Sequence, residues 1–217
     1  MKTDAQLQQD VIAELGWEPA VKATQIGVEV KNGIVTLAGH VDSYTEKWHA
    51  ERAAQRVPGV MGLAVEIDVK LPGLNKRTDA DIARSASNVL EWTTSLPKDA
   101  VKVQSENGWI TLSGDVEWDY QRRLAKGAVQ NLFGVVGVSD SINVRPKAST
   151  MAVKSEIESA LKRRAQDDGQ QIMVDIKGGD VTLSGTVHSW SERELATRSA
   201  WSAPGVRTVV DNIMIAP

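Results

Sequence analysis

The 217-residue chain has no cysteine, which excludes disulfide frameworks, thiol nucleophiles and thiolate metal sites and fits a reducing compartment. An excess of one charge is missing too: 25 Lys+Arg stand against 28 Asp+Glu, a formal charge of −3. That balance is unlike a protein that holds nucleic acid through bulk charge, and no nucleic-acid partner is expected. No apolar run approaches the ~18 residues that a membrane span needs, so the chain is read as not transmembrane. The N-terminal Met1-Lys2-Thr3-Asp4-Ala5-Gln6 does not lead into the apolar core of a signal peptide, and a cytoplasmic location is the expectation. Aromatics are scarce except for tryptophan, which supplies seven of the ten. The apolar fraction of 41% is ordinary for a folded chain.

One unit is written three times. Gly33-Ile-Val-Thr-Leu-Ala-Gly39, Gly108-Trp-Ile-Thr-Leu-Ser-Gly114 and Gly179-Asp-Val-Thr-Leu-Ser-Gly185 are the same heptapeptide, spaced 75 and 71 residues apart. Downstream, Pro58-Gly59-Val60, Phe133-Gly134-Val135 and Pro204-Gly205-Val206 keep the register, and so do Ile67, Ile142 and Ile213.

Each copy opens on apolar residues at helical spacing: Leu7, Val11 and Leu15, then Ile82, Ala86 and Leu90, then Val153, Ile157 and Leu161. Alternating residues follow around Asn32-Gly33, Asn107-Gly108 and Gly178-Gly179, dipeptides that supply the positive φ of a tight hairpin. Gly39, Gly114 and Gly185 end the second strand and are expected to hold a backbone geometry that no side chain allows. Ser43-x-x-Glu46 and Ser189-x-x-Glu192 read as capping boxes opening a second helix with an alanine-rich inner face. That helix breaks at Gly59, Gly134 and Gly205, and a third strand closes the unit. The class is therefore α+β: three tandem αββαβ two-layer sandwich domains, each a three-stranded mixed sheet with two helices on one face. The third strand should run parallel to one hairpin strand. The domains are expected at 1–71, 76–146 and 150–217, joined by short linkers near residues 72 and 148.

Glycine, apolar-x-apolar, Ser/Ala-Gly-x-Val, a Ser/Trp-containing cap, an alanine-rich helix and Gly-Val together resemble the BON domain family over nearly the whole chain. The third copy, Val181-Thr-Leu-Ser-Gly-Thr-Val-His-Ser-Trp190, matches best. The resemblance implies the αββαβ fold, no enzymatic activity, and association with phospholipid surfaces, envelope integrity or osmotic stress. Within the family, one relative binds potassium and others assist envelope-protein folding.

Catalysis finds no constellation in the sequence. His40, His49 and His188 occupy non-equivalent repeat positions, and Ser113 and Ser184 lack the flanks of a nucleophile elbow. The glycines sit on turns and strand exits instead of phosphate loops, no acidic spacing matches a calcium loop, and no cofactor is expected. Trp17 and Trp92 share one repeat position and are expected to plug small cores. Trp118 and Trp190, with Tyr44 beside them in the repeat, stand at the start of the second helix, where a surface-binding rim or a hydrophobic staple would both use them. Arg122 and Arg123, and Lys162, Arg163 and Arg164, form basic clusters that suit anionic headgroups or simply a solvated helix face. Residues 1–71 carry 7 basic and 10 acidic side chains and thus all of the excess negative charge. The expectation is a non-catalytic three-domain adaptor, with an anionic phospholipid surface as first partner and residues 76–217 as the binding part. A protein or peptide partner held along a sheet edge, or a potassium ion, are the alternatives.

Overall fold

The computed structural model describes residues 2–73, 76–145, 172–177, 179–203 and 205–216. The first repeat runs α1 (Asp4–Trp17), β1 (Ile26–Lys31), β2 (Ile34–Val41), α2 (Tyr44–Arg56) and β3 (Gly62–Val69). The second runs α3 (Asp79–Glu91), β4 (Val101–Glu106), β5 (Trp109–Val116), α4 (Asp119–Val129) and β6 (Gly137–Val144). In the third, β7 (Ile172–Lys177), β8 (Asp180–Val187), α5 (Trp190–Trp201) and β9 (Thr208–Ile215) are described. Its expected first helix, with Lys162, Arg163 and Arg164, lies outside the described residues.

Each repeat builds its own sheet, with the second strand central, antiparallel to the first and parallel to the third. Val35 and Leu37 point from β2 into one core, where Ala50, Ala53 and Ala54 let α2 lie close on the sheet. Ile110 and Leu112 do the same under Ala125 and Val129, and Val181 and Leu183 under Ala196 and Ala200. Thr3 caps α1 with a reciprocal capping box, and Leu7, Val11 and Leu15 form its buried stripe. The first residue of that helix also fixes the hairpin: the Asp4 carboxylate accepts the Asn32 and Gly33 amides at 2.8 and 3.1 Å. Asp79 repeats this with Asn107 and Gly108 at 2.8 and 2.9 Å and adds the Ser105 hydroxyl at 2.7 Å.

The strand-ending glycines are required by geometry. Gly39, Gly114 and Gly185 have φ of 141°, 128° and 131°. A Cβ on Gly39 would stand 2.1 Å from the Gln25 carbonyl oxygen, and one on Gly114 2.1 Å from that of Ala100. Gly59, Gly134 and Gly205, at φ of 101°, 90° and 87°, turn the chain out of the second helix. The caps of α2 and α5 depart slightly from a simple box. Ser43 and Ser189 accept the Glu46 and Glu192 amides as expected, but the glutamate carboxylates reach the residue before the cap, Asp42 and His188.

One expectation is overturned. Trp17 and Trp92 are 85% and 77% exposed and plug nothing. Each follows the last inward residue of its helix, Leu15 or Leu90, by two positions, about 200° around an α-helix, so the indole faces away from the sheet.

The three second helices meet in a cycle. Tyr44, the first residue of α2, packs on the second core, and Thr45 donates to the Gln130 carbonyl and the Asn131 side-chain oxygen at 3.4 and 3.0 Å, just beyond α4. From α4, the Arg122 guanidinium lies 4.5 Å from the ring centroid of Trp201 at the end of α5. Closing the cycle, Trp190 at the start of α5 packs on the first core, and Glu194 pairs with Arg52 of α2 at 2.6 Å. The front of each helix thus meets the later part of another.

Candidate functional site

The residues singled out from the sequence fall into distinct environments. Tyr44 and Trp190, equivalent in the repeat, are half-buried at the joints between domains. The enclosed Nε1–H of Trp190 has no acceptor among the described residues, and the Arg193 guanidinium stands 5.4 Å from its ring centroid. At the equivalent position of α4 the residue is Asp119, buried and paired with Arg122 at 2.5 Å and Arg123 at 3.2 Å. Both arginines of that cluster are therefore engaged from within. Arg122 is further held by Asp140 at 3.8 Å and by Trp201, whereas Arg123 keeps much of its side chain in solvent. Trp118 is the N-cap of α4 and is exposed.

A cleft of ≈ 850 Å³ opens where α2, α4 and α5 converge. Tyr44, Trp48, Glu51 and Arg52 line it from the first domain, Lys126 from the second, and Trp190, Glu194 and Arg198 are among those from the third. Two arginines share one carboxylate: Arg52 and Arg198 each donate to Glu194 at 2.6 Å. Burial works to raise the Glu194 carboxyl, but the two guanidinium groups outweigh it and hold it below the usual carboxylate range. Glu51 is different. Burial raises its carboxyl above the ordinary value, against the pull of Lys47, Lys126 and Arg52. Burial likewise raises the Tyr44 hydroxyl, with the Glu51 charge adding to it and the Val138 backbone amide opposing. The rim is neutralised by pairs: Arg193 with Asp211 at 2.8 Å, and Arg56 with Glu18 at 2.9 Å and Glu14 at 3.0 Å.

Sequence reasoning passed over this cleft, although its residues carry a register signal. Glu51, Lys126 and Thr197 each stand twelve residues after the strand-ending glycine of their own copy. Among the described residues no group of three or more histidines and carboxylates could hold a metal ion, and no helix is long and apolar enough to cross a membrane.

Comparison with known proteins agrees with the repeat. The BON domain family model matches residues 3–70, 78–146 and 150–217. The chain belongs to the BON domain family. It is 27% identical over 173 residues to osmotically-inducible protein Y of Escherichia coli (strain K12), covering 76% of this chain and 86% of that protein. Among solved structures, CdsD, a structural protein of the type III secretion system of Chlamydia trachomatis, aligns over 96% of this chain and 91% of its own, with 13% identity and a TM-score of 0.27. The periplasmic domain of the inner-membrane protein PrgH from S. typhimurium aligns over 95% and 99%, with 12% identity and a TM-score of 0.22. Likeness at these scores carries no argument, and the three BON matches stand on the repeat.

Proposed function

We propose that this three-domain BON protein is a non-catalytic binding protein of osmotic or envelope stress that associates with anionic phospholipid surfaces. The observation that carries the reading is the pair Trp17 and Trp92, large, 85% and 77% exposed, and set at the same position of successive repeats. An indole left in water beside a charged surface is suited to a bilayer interface, where the ring buries its apolar body and its N–H stays solvated. In the sequence register of the third copy that position is Arg163, inside Lys162-Arg163-Arg164. Cations near an anionic leaflet contribute ~1 kcal/mol each. Arg123 and the exposed Trp118 add to the same chemistry from the second domain. Linking three weak sites in one chain raises avidity without any strong single contact. The resemblance to osmotically-inducible protein Y supports the stress context.

A second reading has its own observation. Among the described residues no strand of one sheet pairs with a strand of another, so the first and third strand of each sheet present free edges to which an extended peptide could add. Vesicle flotation separates the two. With Trp17→Ala and Trp92→Ala combined, co-flotation with phosphatidylglycerol vesicles should fall at least ~10-fold, since each buried indole is worth more than 1 kcal/mol. Undiminished flotation of the double variant removes the two tryptophans from the contact, and absence of flotation by the parent chain favours edge capture. A potassium titration run beside it tests the ion alternative.

A further inference from the structure

In the cleft between α2, α4 and α5, side chains of all three domains line a common cavity, and its volume of ≈ 850 Å³ lies in the range of small-ligand sites. Once the rim pairs are set aside, its charge does not balance. Arg52 and Arg198 share the single carboxylate of Glu194. Lys126 makes no ion pair or hydrogen bond among the described residues, and neither does Glu51, although Lys126 and Arg52 both act on its carboxyl through space. Three cationic heads, Arg52, Arg198 and Lys126, therefore face the two carboxylates of Glu194 and Glu51. Trp190, whose enclosed Nε1–H has no acceptor among the described residues, lines the same cleft. Trp48, with Arg52 held 5.3 Å from its ring centroid, and Tyr44 complete the sides.

A group that satisfies this inventory brings negative charge and several acceptor oxygens. Guanidinium forks match tetrahedral oxyanions in geometry, and a lysine supplies a point charge that swings to meet them. We propose that the cleft is a binding site for a phosphate oxyanion, with Arg52, Arg198 and Lys126 as its cationic donors, complete only when all three domains are docked. Because the donors come from three domains, occupancy holds the cycle of helices closed, and a ligand that binds only the docked state stabilises it by mass action. The phosphate has two possible sources, a soluble phosphate compound or a lipid headgroup. The inference goes beyond the surface reading, which places the lipid contact at Trp17 and Trp92.

The test is titration calorimetry of the full chain with inorganic phosphate and with glycerol phosphate in a phosphate-free buffer, beside flotation on phosphatidylglycerol vesicles. Two variants carry opposite signs. Lys126→Gln removes a cation that supports no ion pair or hydrogen bond among the described residues, and should weaken phosphate about tenfold, the worth of one charge-assisted hydrogen bond. Glu51→Gln removes a carboxylate and should tighten phosphate about threefold or more, on Coulombic grounds. General damage to the fold cannot produce opposite shifts, so that pattern supports the site. If Lys126→Gln loses phosphate yet floats as before, the site takes soluble phosphates. If it loses both, the cleft also takes headgroups. Absence of saturable phosphate binding, unchanged affinity in both variants, or shifts of the same sign overturns the proposal. None of those overturning results decides the surface reading, which the tryptophan variants and the comparison of lipids test separately.

Discussion

Exchanging a glycine for alanine at two points of the second domain should move stability in opposite directions. At Gly114 the backbone has φ of 128°, and an added Cβ would stand 2.1 Å from the Ala100 oxygen, 3.1 Å from its carbon and 3.3 Å from the Val101 Cα. The left-handed geometry costs ~1–3 kcal/mol for a residue with a side chain. The oxygen must also retreat by more than an ångström, and it accepts the Asp115 amide at 3.2 Å, so relief of the clash breaks a bond that ties the residue before β4 to β5. A loss of ~4 kcal/mol or more follows, at the severe end of single substitutions. Gly127 lies inside α4 with nothing within 4 Å of an added Cβ, and there alanine should stabilise by ~0.5–1 kcal/mol through its helix propensity. Urea unfolding of the full chain followed by tryptophan fluorescence and far-UV circular dichroism reads both. The reasoning fails if Gly114→Ala costs under ~1 kcal/mol, since an ångström-scale clash with backbone cannot be so cheap, or if the two variants shift in the same direction.

Two further outcomes concern charge and docking. The Asp79 carboxyl is held below its ordinary value by the Ser105 hydroxyl first and then by the Gly108 and Asn107 amides. A depressed folded value means that the stabilisation is fully present above the ordinary carboxylate range and is lost as pH falls through the folded value. Acid unfolding of Asp79→Asn should therefore show a shallower pH dependence than the parent, whereas identical slopes would remove Asp79 from the hairpin's support. Trp190→Ala takes away the ring that α5 sets on the first core, and should cost ~2 kcal/mol of domain docking for a half-buried aromatic. In calorimetry the variant should separate one transition into two, and an unchanged profile would mean that Trp190 does not couple the domains.

The fold was legible because each unit's rules are local. Period-3.6 apolar residues, the Asn-Gly turns and the glycine after each second strand specify α1, the hairpins and the strand exits, and repetition turned three weak readings into one strong one. The exposed Trp17 and Trp92 could have been read from the same helical phase, since two residues past Leu15 or Leu90 is the far side of the helix. Tyr44 and Trp190 could not, because their use depends on partners in other domains: Thr45, next to Tyr44, meets Gln130 and Asn131 at separations of 85 and 86 residues. Asp119 hides the repeat at the same place by substituting a paired carboxylate for an aromatic ring. The cleft was missed for a similar reason: Glu51 and Lys126 are unremarkable on their own helices and acquire meaning only once three helices converge.

Association of the protein with an anionic surface is read most plainly in flotation of the unmodified full chain. Vesicles of phosphatidylglycerol and of phosphatidylcholine are compared at low and at high salt, since exposed charges reach only ~8 Å at physiological ionic strength and less above it. Co-flotation with phosphatidylglycerol should weaken as salt rises, with little on phosphatidylcholine. Equal flotation on both lipids, or none on phosphatidylglycerol at low salt, would contradict it.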